Sequence, residues 1–141
     1  MSEKRVVVDA SLAAKWIVSE EGTEAAVDLL ERWTEQGLLI TAPHLIFIEV
    51  SNALHKRVRR GQLTVVNAVT LLDHLISLGI AIQDAASLHA RALELADHFG
   101  FPATYDAYYL SLAEALRCEF WTADKRLYNS VKHEFEWVHG I

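Results

Sequence analysis

Three consecutive β-branched residues, Val6-Val7-Val8, constrain the fold of this chain more than any other feature. The run is short and does not alternate with polar residues, which is typical of a strand buried on both faces. Weaker apolar runs predict further strands at 38–40, 80–82, 120–122 and 137–138. Strands of this kind belong to a parallel sheet that helices cover on both sides.

Helical patterns lie between the predicted strands. In three segments apolar residues recur on one helix face, the stripe typical of a helix that packs on a core. The three sets are Ala26, Leu29, Leu30 and Trp33; Val65, Val69, Leu72 and Ile76; and Leu88, Ala92, Leu95 and Phe99. Pro43 fits the first turn of a helix that runs to about Arg60, and Gly61 fits its carboxyl-terminal cap. The pattern predicts an α/β fold, and the absence of repeats and linkers predicts a single domain over 1–141.

Composition excludes several classes of function. The chain has 13 Lys plus Arg against 19 Asp plus Glu, a net charge of −6, which excludes a basic protein that coats nucleic acid. An enzyme acting on nucleic acid is not excluded, because a bound metal can reverse the charge at a site. The single cysteine, Cys118, excludes an internal disulfide and a multi-cysteine zinc site. It fits a reducing cytosol, and no apolar run reaches the ~20 residues of a membrane span, so we expect a cytoplasmic protein.

Four carboxylates stand where strands lead into helices, or in the first half of a helix. Asp9 ends the first strand, Glu49 lies in a nearly apolar helical run, Asp106 lies in the first turn of a helix, and Asp124 follows the strand at 120–122. Helix capping is the alternative for Asp9 and Asp124, the helix dipole for Asp106, and a surface position or an Arg partner for Glu49. Because ligands bind at the carboxyl ends of parallel strands, we expect the four acids to converge there.

Converging carboxylates repel each other and raise each other's pKa values. The surrounding motifs supply no matching Lys or Arg at each acid. A hard divalent cation with oxygen ligands, such as Mg²⁺, resolves the conflict. Two such ions would change the formal charge from −6 to −2 and would let the site accept phosphate oxygens.

The fragments VVVDAS, PHLIFIEVSNAL, ATYDAYYLSLAEAL and FWTADKRLYN occur in this order across nearly the whole chain. Together they resemble the PIN-domain ribonucleases, and specifically the VapC-type toxins. The resemblance implies a three-layer α/β/α sandwich with a central parallel sheet, and RNA cleavage that depends on Mg²⁺ or Mn²⁺. It also implies a VapB-type antitoxin that blocks the active site, and a homodimer.

The resemblance assigns roles residue by residue. It implies metal ligands at Asp9, Glu49, Asp106 and Asp124. It adds Ser11 and Thr122 to the catalytic set as groups that orient carboxylates or contact phosphate oxygens, and it implies a supporting polar role for Asn52. Attack by water would leave a 5′-phosphate and a 3′-hydroxyl.

Several interpretations stay open. A non-toxin PIN-like nuclease and a non-catalytic nucleic-acid-binding scaffold would share this fold. The basic segment Lys56–Arg60 either grips an RNA backbone or complements the dipole of a helix end. Trp16 and Ile17 belong either to the core or to an apolar groove for a partner helix. A signalling receiver domain is disfavoured, because only one acid, Asp9, follows the first strand.

Overall fold

Strands and helices alternate along the chain, as the apolar patterns predict. The computed structural model describes residues 4–141. Its strands are β1 Arg5–Val8, β2 Leu39–Ala42, β3 Ala81–Ile82, β4 Glu119–Thr122 and β5 Val138–Gly140. Its helices are α1 Ala10–Ile17, α2 Thr23–Glu35, α3 Leu45–Arg59, α4 Val65–Ser77, α5 Ser87–Phe99, α6 Tyr105–Leu116 and α7 Lys125–Val131. Across residues 4–141, no helix combines the length and the apolar character that crossing a bilayer requires.

The five strands form one sheet in the order β3-β2-β1-β4-β5, and every neighbouring pair is parallel. The side chains of Val6, Val7 and Val8 are at most 1% exposed, although they point alternately to opposite faces. Both faces of the central strand are therefore covered. Helix α1 packs with α2, α3 and α4, and α5 packs with α6. The predicted α/β/α architecture with a central parallel sheet is confirmed.

The strand order reverses direction at β1. The chain moves from β1 to β2 and β3 on one side, then returns to β4 and β5 on the other. At such a switch point the connections leave in opposite directions and open a crevice beyond the carboxyl ends of the strands. Here that crevice lies between the ends of β1 and β4, where Val8 pairs with Trp121. Asp9 and Thr122 are therefore placed at its edge.

Helix α4 is rotated about its axis from the orientation that its pattern predicts. Three of the four residues on its predicted face are exposed: Val65 is 64% exposed, and Val69 and Ile76 are each 52% exposed, whereas Leu72 is partly buried against the core. The buried residues are instead Ala68 and Leu75. The prediction that this stripe packs on the core is wrong for three of its four residues, because periodicity defines a helix face without defining the direction in which the face points.

The amino-terminal aromatic residue Trp16 belongs to the core. Trp16 is 8% exposed and Ile17 is 9% exposed. The Trp16 indole N–H donates to the Ala26 carbonyl at 2.8 Å, and the ring meets Trp33 edge-on with centroids 6.5 Å apart. Of the two interpretations of this pair, the structure supports the core.

Candidate active site

Asp9 connects the ends of β1 and β4. It caps α1, since its Oδ1 accepts from the Leu12 N–H at 3.1 Å. The same oxygen accepts from the Ser11 hydroxyl at 2.7 Å, while Oδ2 accepts from the Thr122 hydroxyl at 2.5 Å. The residue is only 3% exposed. Capping therefore explains one of the three hydrogen bonds that hold this carboxylate.

The two hydroxyl groups are themselves held in place by the backbone of the β4–α7 loop. Ser11 Oγ accepts from the Ala123 N–H at 3.0 Å, and Thr122 Oγ1 accepts from the Asp124 N–H at 3.0 Å. A hydroxyl that accepts from a backbone N–H keeps its own proton available for another acceptor. Both protons are directed to Asp9, so Ser11 and Thr122 fix the orientation of its carboxylate.

Burial raises the pKa of Asp9 to about 7, against the opposing effect of its three hydrogen bonds, and the charge of Asp106 raises it further. The carboxyl group is therefore partly protonated near neutral pH. A nearby cation would favour its ionised form.

Glu49 is held by a buried tyrosine that sequence reasoning missed. The Tyr109 hydroxyl donates to Glu49 Oε1 at 2.6 Å, and its ring stacks on Phe120 with centroids 6.2 Å apart. Burial raises the pKa of half-buried Glu49, the bond from Tyr109 lowers it, and the charge of Asp106 raises it. The available signal was spacing: Tyr109 follows Asp106 by three residues, which places both on one face of α6.

Asp106 interacts electrostatically with each of the other three acids. It lies in the first turn of α6 and is half-buried. Burial raises its pKa, the charge of Asp124 adds to this, and Arg126 opposes both. Its own charge raises the pKa values of Asp9 and Glu49. Arg126 thus places a positive charge near one of the four acids, and the expectation that the acids are not each matched by a cation is unaffected.

Asp124 caps α7. Its Oδ1 accepts from the Arg126 N–H at 2.9 Å and from the Leu127 N–H at 3.2 Å. The cap uses one carboxylate oxygen, and the Asp124 charge still acts on Asp106. Asn52, the remaining polar residue from the sequence analysis, is exposed and lines a groove together with Glu49.

The four acids are chemically suited to bind a hard cation, but they do not already surround a single point. All four acids offer carboxylate oxygens, and within residues 4–141 none of the four forms an ion pair with Lys, Arg or His. In the same part of the chain, no three His, Cys, Asp or Glu side chains already form a group that could hold a metal ion. Mg²⁺ typically takes one or two carboxylates and completes its shell with water and phosphate. The residues therefore fit an ion that takes some of its ligands from the protein and the others from water and the substrate phosphate.

The chain is similar to known proteins in sequence and in fold. Residues 6–132 match the sequence model of the family described as PIN domain. The chain is 34% identical over 128 residues to Ribonuclease VapC3 of Pyrobaculum aerophilum, which covers 87% of this chain and 92% of that protein. It is 30% identical over 122 residues to Ribonuclease VapC9 of Mycobacterium tuberculosis, covering 86% and 87% respectively. Its fold is similar to the crystal structure of PAE2754 from Pyrobaculum aerophilum, with a TM-score of 0.71 at 23% identity over 99% of this chain and 92% of that chain.

Proposed function

This chain belongs to the PIN domain family, and from that premise we propose that it is a Mg²⁺-dependent endoribonuclease, with Mn²⁺ as a substitute. We propose further that it is the toxin of a VapBC-type pair and is blocked by a VapB-type antitoxin. The observation that carries the catalytic proposal is the placement of Asp9. Its carboxylate is fixed by Ser11 and Thr122 at the switch point of the sheet, within the field of Asp106.

Asp9 is the most rigid ligand of the proposed site. Three donors hold its two oxygens, so little side-chain entropy is lost when it binds a cation. Its pKa of about 7 means that a cation must displace a proton from part of the population at neutral pH. Metal affinity should therefore rise as the pH increases through 7.

Glu49 and Asp106 supply the more accessible oxygens. Both are half-buried, and burial is the main reason that the pKa of each is raised. Tyr109 holds Glu49 through Oε1, which leaves Oε2 for a cation or for a proton released in the reaction. Asp124 adds negative charge next to Asp106, on the edge where α7 begins.

When bound, a divalent cation supplies Lewis acidity, which activates water as a nucleophile and stabilises charge on the phosphoryl oxygens. In the proposed hydrolysis a water oxygen bonds to phosphorus and the bond from phosphorus to O3′ breaks. The proton lost by water passes to a carboxylate or to solvent, and O3′ gains one. The products carry a 5′-phosphate and a 3′-hydroxyl.

The test is cleavage of labelled single-stranded RNA by the full chain with Mg²⁺, with Mn²⁺ and with EDTA. We expect cleavage with either metal, none with EDTA, and 3′ ends that a poly(A) polymerase extends. Asp106→Asn should lower the rate by at least about 100-fold. Asp97→Asn, which removes an exposed acid from α5, is the matched control and should leave the rate within about twofold.

Two results would contradict the proposal: cleavage that persists in EDTA, and RNA that is bound without being cut, as expected of a non-catalytic scaffold. The homodimer is tested separately by light scattering on the purified chain. The antitoxin is tested by co-expression with small DNA-binding proteins from neighbouring reading frames, where a true partner should abolish cleavage.

A further inference from the structure

A groove between α1 and α3 carries positive charges close to the acids of the candidate site. This α1–α3 groove has a volume of about 390 Å³, and its lining includes Ser11, Lys15, Glu20, Glu49, Lys56 and Arg57. Lys15 lies one helical turn beyond Ser11, and Lys56 lies two turns beyond Glu49, or about 6 Å and 10 Å along the helix axes. The cations and the acids therefore share one surface, a short distance apart.

Glu20 forms ion pairs with two of these cations. Arg57 Nη2 donates to Glu20 Oε2 at 2.5 Å, and Lys15 Nζ donates to Glu20 Oε1 at 3.4 Å. Each carboxylate oxygen thus meets one cation, although the shorter hydrogen bond of Lys15 Nζ goes to the Glu21 carbonyl at 2.6 Å. The three side chains are 18–30% exposed, so water and salt screen the pairs partly.

The Glu20 side chain can leave this position without unfolding the loop that carries it. The Glu20 N–H donates to Thr23 Oγ1 at 2.9 Å, and the Thr23 hydroxyl donates to the Val18 carbonyl at 3.0 Å. These bonds hold the backbone between α1 and α2, whereas the carboxylate is held only through its ion pairs. A stronger anion can therefore compete for the two cations.

We propose that the α1–α3 groove binds an RNA phosphate next to the scissile one, through Arg57 and Lys15, after displacing Glu20. This inference rests on the proposed function. A guanidinium and an ammonium that hold the two oxygens of a carboxylate also match two oxygens of a phosphate. The net charge of the chain is −6, so a polyanion needs such a local positive surface.

The groove also divides the basic segment 56–60 into two parts. Lys56 and Arg57 line it, whereas Arg59 and Arg60 are exposed outside its lining. The two alternatives for this segment are therefore compatible with each other. All four cations lie in the last turn of α3 or at its cap, where they complement the helix dipole, and Arg57 has the phosphate as a further partner.

The experiment measures binding of a fluorescein-labelled single-stranded RNA in EDTA, so that no cleavage occurs, over a series of salt concentrations. Arg57→Gln should weaken binding about tenfold and reduce the slope of log affinity against log salt by about 0.7, the loss of one phosphate contact. Arg60→Gln removes the same charge outside the groove, and its affinity should stay within about twofold of wild type. Cleavage by Arg57→Gln in Mg²⁺ should show a raised KM with an unchanged kcat.

Glu20→Gln separates phosphate binding from a merely structural link between α3 and the α1–α2 loop. Phosphate binding predicts that this variant holds RNA several-fold more tightly, because the competing carboxylate is gone. A structural link predicts a lower urea midpoint with no gain in RNA affinity, and that result overturns the inference.

Equal affinity and salt slope for Arg57→Gln and Arg60→Gln would also overturn it, as would a wild-type chain that binds no RNA in EDTA. These outcomes are distinguishable from failure of the proposed function. Loss of the groove leaves metal-dependent cleavage in place, whereas a chain that binds RNA through Arg57 and never cuts it contradicts the nuclease alone.

Discussion

Replacing Asp9 with Asn should stabilise the metal-free protein at alkaline pH. The pKa of Asp9 is raised from 3.8 to about 7, chiefly by burial, whereas in the unfolded chain the carboxyl ionises near its ordinary value. Between these two values the folded state binds more protons than the unfolded state. The contribution of Asp9 to stability is therefore complete below about pH 4 and is lost as the pH rises through 7.

The magnitude follows from the difference between the two pKa values. About 3 pH units at 1.36 kcal/mol each give a loss of about 4 kcal/mol in the wild type above pH 8. The Asn side chain avoids this loss because it carries no charge. Its amide would face Thr122, whose hydroxyl would then accept from it and donate instead to Ser11 Oγ, 3.2 Å away. The pKa of about 7 already includes the hydrogen bonds to the charged form, so the remaining cost is the rearrangement of donors around the amide, about 1 kcal/mol, and the net gain is about 3 kcal/mol at pH 8.

The assay is urea denaturation in EDTA, followed by the fluorescence of the four tryptophans. Between pH 5 and pH 8 the difference in unfolding free energy between Asp9→Asn and wild type should grow by about 2 to 3 kcal/mol in favour of the variant. Asp73→Asn, which removes an exposed acid from α4, controls for the change in net charge. If Asp9→Asn and wild type gave parallel curves over this range, Asp9 would not carry the raised pKa. Mg²⁺ should stabilise the wild type and leave Asp9→Asn unchanged.

Three further predictions concern the groups around Asp9 and Glu49. Tyr109→Phe keeps the ring on Phe120 and removes the hydrogen bond that lowers the pKa of Glu49. The acid limb of the pH–rate profile should therefore move to higher pH, and calorimetry should show Mg²⁺ binding about tenfold weaker. Thr122→Val leaves Asp9 Oδ2 and the Asp124 N–H without their hydrogen-bond partner. The unfolding free energy should therefore fall by about 2 to 3 kcal/mol in urea titrations, and Thr122→Ser should restore most of this loss. Asp106→Asn removes a negative charge that raises the pKa values of both Asp9 and Glu49. Carboxyl ¹³C titrations should therefore show that both pKa values fall. Unchanged values would refute the proximity inferred for these three acids.

Local patterns predicted the elements of this fold well. The Val6–Val8 run is a strand buried on both faces, and the five predicted strands all occur, because hydrophobicity and spacing act within a few residues. Helix α3 ends before Gly61, whose φ of +74° suits the residue that terminates a helix. The same local information was insufficient for α4, where Val65 and Val69 share the predicted face and yet point to solvent. Which face of a helix is buried depends on the elements that pack against it.

For the candidate site, the chain by itself determined which residues carry carboxylates and that each stands beside the end of a strand or near the start of a helix. Only the tertiary structure decided what each carboxylate contacts. Thr122 reaches Asp9 across 113 positions of sequence, and Tyr109 reaches Glu49 across 60. The physical reason is that helical and strand periodicity repeat within a few residues, whereas the order of strands in the sheet brings β1 beside β4 and so joins side chains that no local pattern links.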